Sequence, residues 1–260
     1  MASAPSFSYH ASAHALSGHL TRPENHLIQV QAGSVLPSTG GQQSSRIENF
    51  RHGETLSFAA AYSHVTGSEK IDNGKTICTT LSTSVVERLN ILDMVTADRV
   101  VSRLASSYVS GDESEILVLG SRFENLRIAG CPIEVELHHE LALGLKTFAD
   151  VRKEYKSNAD FRKMTDDPFK PGKLPAQVEA HEVVRCSLVK DIHPAKCPGI
   201  KRHGHHGHVL VVPEFGTVYL AELRFEMGRK NLRMIRVELG SPNGGGVIVA
   251  EADSNGRPPT

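Results

Sequence analysis

Thr55-Leu56-Ser57-Phe58-Ala59-Ala60-Ala61-Tyr62-Ser63-His64-Val65 and Thr76-Ile77-Cys78-Thr79-Thr80-Leu81-Ser82-Thr83-Ser84 flank Asp72-Asn73-Gly74. Both flanks carry the β-branched, aromatic and alternating pattern of strands, and Asn-Gly supplies the positive-φ residues of a tight hairpin turn. This β-hairpin sets the expectation for the rest of the chain.

Just ahead of it stands Ser45-Arg46-Ile47-Glu48-Asn49-Phe50-Arg51, echoed by Ser121-Arg122-Phe123-Glu124-Asn125-Leu126-Arg127. Each copy precedes a glycine (Gly53, Gly130) and then an alternating run, Leu56 to Ala59 in one and Ile133 to Leu137 in the other. The pair reads as a duplicated turn-plus-strand unit. A shorter echo, Asn231-Leu232-Arg233, precedes Val237-Glu238-Leu239.

The same period-two grammar extends outward. Phe7, Tyr9, Ala11, Ala13 and Ala15 share one face of a first strand, with His10 and His14 opposite. Leu27 to Ala32 is a second, and Leu36-Pro37-Ser38-Thr39-Gly40 reads as a Pro/Gly loop. Residues 91–104 fit two periods: Met94, Ala97, Val101 and Leu104 recur like a helix face, but the Val and Thr content favours a strand. Ile116 to Leu119 is a short buried strand. Later strands fall at Val183–Ile192, His208–Val212, Thr217–Phe225, Leu232–Leu239 and Val247–Ala252, separated by Gly/Pro/Asn turns. Residues 254–260 read as a mobile tail.

One segment breaks the pattern. Leu145, Phe148, Val151 and Tyr155 recur at helical spacing, and residues 160–164 add a further turn before Pro168. The expectation is an all-β fold, an antiparallel sandwich or barrel-like structure, with a helical insertion around 143–165. Residues 1–260 are read as a single β-rich domain, interrupted by a helical and loop insertion over 141–180.

Composition narrows the function classes. Lys+Arg and Asp+Glu balance at 29 each, so no net field draws the chain to nucleic acid or to an anionic membrane. No apolar run is long enough for a transmembrane helix, and the first residues lack the pattern of a secretory signal. Cys78, Cys131, Cys186 and Cys197 form no CxxC and are expected as four free thiols in a cytoplasmic protein. With no Trp and 5% aromatic residues, a stacking platform for sugars or single strands is hard to build.

The compositional oddity is 14 histidines. His203, His205, His206 and His208 crowd a Gly-rich loop, where imidazoles can converge on Zn²⁺, Ni²⁺ or Cu²⁺ with Cys197 near in sequence. The preferred reading is a solvated loop with adventitious metal affinity, without a rigid ligand set. His138 and His139 follow Glu134 and Glu136, a row that serves as a metal or acid–base face or as the wet side of a sheet. No GxSxG elbow and no phosphate-cradling Gly-Lys-Ser/Thr loop occurs.

Leu89-Asn90-Ile91-Leu92-Asp93, Thr96 to Val101, Arg122 to Gly130 and Gly207 to Gly216 together resemble an uncharacterised group of bacterial β-rich proteins. The resemblance covers most of the chain outside residues 1–40 and 145–180. It implies a bacterial source and one folded unit, and brings no activity, cofactor or catalytic residue. The sequence therefore points to a binding, structural or self-assembling soluble β protein. Its first strand is expected to contribute to a homo-oligomeric contact. The alternative is a metal-dependent enzyme using residues 203–208 with His138 or His139.

Overall fold

The hairpin supplies the two longest strands, 17 residues each, of the computed structural model, which describes residues 7–109, 114–118, 120–174, 183–194 and 196–257. In chain order the strands are β1 (Ser8–Arg22), β2 (His26–Gln31), β3 (Ser34–Val35), β4 (Gly41–His52), β5 (Leu56–Asp72), β6 (Lys75–Ile91) and β7 (Val95–Val109). Shorter pieces come next: β8 (Glu115–Val118), β9 (Arg122–Glu124), β10 (Arg127–Ile128), β11 (Cys131–Pro132) and β12 (Glu134–Leu137). Then come helices α1 (His139–Gly144), α2 (Phe148–Ser157) and α3 (Ala159–Met164). The chain returns to strand with β13 (Val184–Ser187), β14 (Val189–His193), β15 (Lys201–His203) and β16 (Val209–Val212). It ends with β17 (Gly216–Glu226), β18 (Arg229–Leu239) and β19 (Gly244–Arg257).

These strands form two antiparallel sheets. One runs β15-β16-β17-β18-β19-β1-β2, with β13 beside β17 and β3 beside β1. The other runs β11-β10-β7-β6-β5-β4, with β8 and β9 on β7. β12 and β14 make a small third sheet. β18 and β19 lie over β7, β19 also over β6, and β1 over β5 and β6, so the two large sheets stack as a sandwich. The hairpin turn is made as its residues require, with Asn73 at φ 49° and Gly74 at φ 75°.

Every long strand changes its inward face once. β5 buries Leu56 and Phe58, then Ala61 and Val65; β7 buries Val95 and Ala97, then Val100 and Leu104; β17 buries Val218 and Leu220, then Leu223 and Phe225. The changes line up in one crease per sheet. Asn49 on β4, Arg88 on β6 and Asn125 in the bend between β9 and β10 are left-handed in one sheet, and Ala221 and Ala250 in the other, with φ between 49° and 56°. Pairing register is the same on both sides of the crease, as in Glu48↔Ala60 and Phe50↔Phe58. A left-handed residue reverses the pleat without inserting a residue.

The crease divides the interior in two. On one side large side chains such as Leu16, Leu89, Ile91, Ile235 and Val249 fill the space. On the other, small and hydroxyl-bearing residues stand among the inward ones: Ala11, Ala13, Ser63, Thr80, Ser82, Ser84, Ser102 and Ser254 are all buried there, beside larger side chains such as Val65 and Leu104. There hydroxyls join the sheets directly. Ser82 Oγ donates to Asp253 O (2.7 Å), Ser84 Oγ to His14 O (2.8 Å), and Thr80 bonds Ser254 (2.8 Å). Such bonds bring the backbones closer than the roughly 10 Å of ordinary stacked sheets.

Two expectations about the termini change. β1 does present its alanines inward, but against its own second sheet. Its backbone is paired on both sides, by β19 on one and by β2 and β3 on the other. A free first strand for a neighbouring subunit is thus not what the fold offers. The last strand also runs past Ala252: Asp253 and Ser254 are buried and β19 continues to Arg257, opposite Ser8, where a tail from Ser254 was expected. Residues 258–260 lie outside the described residues.

The helical insertion stands where its periodicity placed it. A capping box starts α2: Thr147 Oγ1 accepts from Asp150 N–H (3.1 Å), and Asp150 Oδ2 accepts from Thr147 N–H (3.0 Å). Phe148, Val151 and Phe161 enter the core.

Candidate functional site

The histidine loop does not fold into a ligand set. His203 ends β15 and its ring lies 5.2 Å from that of Phe169. Gly204, His206 and Gly207 are left-handed and bend the chain through a single 3-10 turn. His205 and His206 meet edge to face at 4.0 Å. His208 is buried, its Nδ1 2.9 Å from His205 O, and burial holds both His205 and His208 below the usual imidazole range. His138 caps α1, with Nδ1 accepting from Leu141 N–H (3.1 Å), and His139 is exposed at the first turn. Among the described residues no three His, Cys, Asp or Glu side chains are grouped as a metal site.

Cys197 is also spent. It is bonded to Cys131, 66 residues away in sequence, so the expectation of four free thiols is corrected. Cys78 and Cys186 remain free, and both are buried. The carboxylate row ahead of α1 is a solvated face, with Glu136 ion-paired to Lys190 at 2.6 Å.

The most unusual surface lies on the sandwich edge. Between Glu24 and Arg46 the sequence holds no Asp, Glu, Lys or Arg. This uncharged stretch becomes β2, β3 and the first part of β4. β2 ends one sheet and β4 ends the other. Because the sheets stack in the same order, both edges face the same side, and the His26 and His52 rings touch across them at 4.4 Å. Among the described residues β2 pairs only with β1 and β4 only with β5, so each presents unpaired N–H and C=O groups. Leu27 is 67% and Val30 56% exposed, and Val35 is also exposed. Beside them runs a groove of about 670 Å³ along β2, β1 and β19, bordered by Leu27, Ile28 and Val30 and lined in part by Gly18, Gly245 and Gly246.

Natural edges are guarded by charges, lysine above all, or by prolines and covering loops. Here the guard is missing on the strand that most needs it. Composition could have flagged this, since a long uncharged run in a chain with 22% charged residues is conspicuous. That the run forms two edges is a fact of pairing order, which composition does not contain.

The fold and this surface define a two-sheet antiparallel β-sandwich with an unguarded edge. The chain belongs to the family described as a domain of unknown function (DUF8256), whose model matches residues 7–170 and 144–226. Those ranges include most of the two segments that the sequence resemblance left out. No curated protein and no solved structure matches the chain. Among the described residues no helix is long and apolar enough to cross a membrane.

Proposed function

We propose that this is a binding and self-assembling β-sandwich protein whose assembly surface is the β2 edge. The observation that carries the reading is the uncharged edge strand His26–Gln31, paired on one side only among the described residues, with Leu27 and Val30 facing solvent. The occupant is a second copy of the same chain. An uncharged edge meets its own two-fold copy without like-charge repulsion, and formal net charge is zero. Antiparallel pairing of two β2 strands extends one sheet through both subunits and satisfies the open backbone groups. The contact therefore uses β2 and leaves β1 inside each subunit.

The Cys131–Cys197 bond supports an oxidising compartment for this function, in place of the cytoplasmic one expected from cysteine spacing.

Sedimentation velocity over a range of concentrations tests the reading. The expected result is a concentration-dependent dimer or larger species for the unaltered protein and a monomer for Val30→Lys. Val30 is exposed, so the variant keeps its fold, which circular dichroism verifies. A monomer at high concentration, or an oligomer indifferent to Val30→Lys, overturns it.

A further inference from the structure

The outer face of β13, β17, β18 and β19 carries two cross-strand rows of polar side chains. One row is Ser187, Glu222, Arg233 and Glu251, where opposite charges alternate. Arg233 Nε donates to Glu251 Oε2 at 2.9 Å, and Arg236 grips both oxygens of Glu222 at 2.6 and 2.8 Å. This row satisfies itself.

The other row does not. Arg185 and Arg224 stand directly opposite each other on β13 and β17. Like charges in that position destabilise a sheet. Arg224 has Glu226 as an ion-pair partner, yet its Nε is buried without an acceptor. Arg185 has no ion pair among the described residues, and the nearest carboxylate in the next row, Glu222, is held by Arg236. Burial first, and then the guanidiniums of Arg224, Arg233 and Arg236, raise the cost of charging Arg185, and Glu222 offsets part of it.

Over this face opens a groove of about 640 Å³, within the range of small-molecule sites. Arg185 and Arg224 line it with His208 and Tyr219, and Phe169 and Val183 give it an apolar wall. We propose that the groove binds a small anionic molecule, with a carboxylate or phosphate group bridging Arg185 and Arg224. Planar guanidiniums match either group bidentately, and one anion between them removes the repulsion and gives the Arg224 Nε an acceptor.

Thermal unfolding of the whole protein in sodium phosphate, sodium benzoate and sodium chloride at matched ionic strength tests this. The expected result is a saturable rise in Tm with phosphate or benzoate over chloride, lost in Arg185→Gln and in Arg224→Gln. A rise with phosphate alone assigns a phosphate ligand, and a rise with benzoate alone a carboxylate. Arg185→Lys, which keeps the charge and loses the fork, is expected to weaken the response without abolishing it. Because Arg185 is exposed, its variants fold even if Arg224→Gln does not. No saturable rise with either anion, or an equal rise in Arg185→Gln, overturns the proposal.

Discussion

Asn49 and Asn125 occupy the same place on opposite edges of one sheet. Each is left-handed, at φ 56° and 50°, and each directly follows a glutamate that accepts from the arginine two residues before it. Arg46 Nε reaches Glu48 Oε1 at 2.9 Å, and Arg122 Nε reaches Glu124 Oε1 at 2.7 Å. The repeated heptapeptide thus encodes the ends of the crease, where the pleat reverses. The strands beyond the two copies differ: the first leads into β5, with 17 residues, and the second into strands of only two to four residues.

Asparagine tolerates left-handed backbone and a β-branched residue does not. Asn125 also donates from Nδ2 to Asp98 Oδ2 at 2.6 Å. Asn125→Val is expected to lower unfolding free energy by about 1–2 kcal/mol from the backbone alone. Asn125→Gly, which keeps the conformation and loses only the side-chain bond, is expected to cost less. Urea unfolding midpoints of the three proteins decide the order.

The crease also explains which parts of the fold were legible in the sequence. The 55–84 hairpin was, because its turn residues and its strands lie within one local stretch. Residues 91–104 were not cleanly so: inward residues Val95 and Ala97 before Asp98 and Val100 and Leu104 after it produce a three-residue step that imitates a helix. At the histidine loop, sequence spacing does not give the arrangement: Gly204, His206 and Gly207 take positive φ, the His205 and His206 rings meet at 4.0 Å, and His203 lies against Phe169 instead. The Arg185–Arg224 pair and the Cys131–Cys197 bond join distant segments, and no local pattern announces a contact that only sheet order creates.

The disulfide predicts a thiol count. Denatured without reductant, the protein is expected to titrate two thiols, Cys78 and Cys186, and four after reduction. Burial pushes the Cys186 thiol up to about 12 and raises that of Cys78, so native protein should react slowly with thiol reagents. For a closed loop of 66 residues, chain entropy gives at most about 4 kcal/mol of stabilisation. Reduction is expected to shift the urea midpoint downward, and an unchanged midpoint counts against the bond.

Gly216 and Gly74 are both glycines with positive φ, and they should respond very differently to alanine. A Cβ at Gly74 meets nothing within 4 Å, so Gly74→Ala costs only the left-handed conformation, about 1 kcal/mol. At Gly216 a Cβ would stand 2.0 Å from Glu238 O and 2.8 Å from Gly240 N. Those atoms are backbone and cannot swing aside, so β17 and β18 must part at their ends. Gly216→Ala is expected to cost more than about 3 kcal/mol, in the class of severe substitutions. Comparable midpoints for the two variants would contradict the packing described.

Acid should destabilise the fold before any carboxylate is titrated. His14, His205 and His208 all lie below the ordinary imidazole value of 6.5 in the folded protein, in each case through burial first. At His14 the neighbouring Glu251 opposes the shift and burial prevails. The unfolded chain therefore binds protons at these sites at a pH where the folded chain does not. Their contribution is fully present above 6.5 and is lost as pH falls below it toward the folded values. Unfolding free energy is expected to be level above about pH 7.5 and to decline steadily toward about pH 5. His208→Gln removes one of the three titrations and should make that decline shallower, even if stability at high pH also drops. A decline of unchanged slope in the variant would show that His208 takes up its proton in the folded state as readily as in the unfolded one.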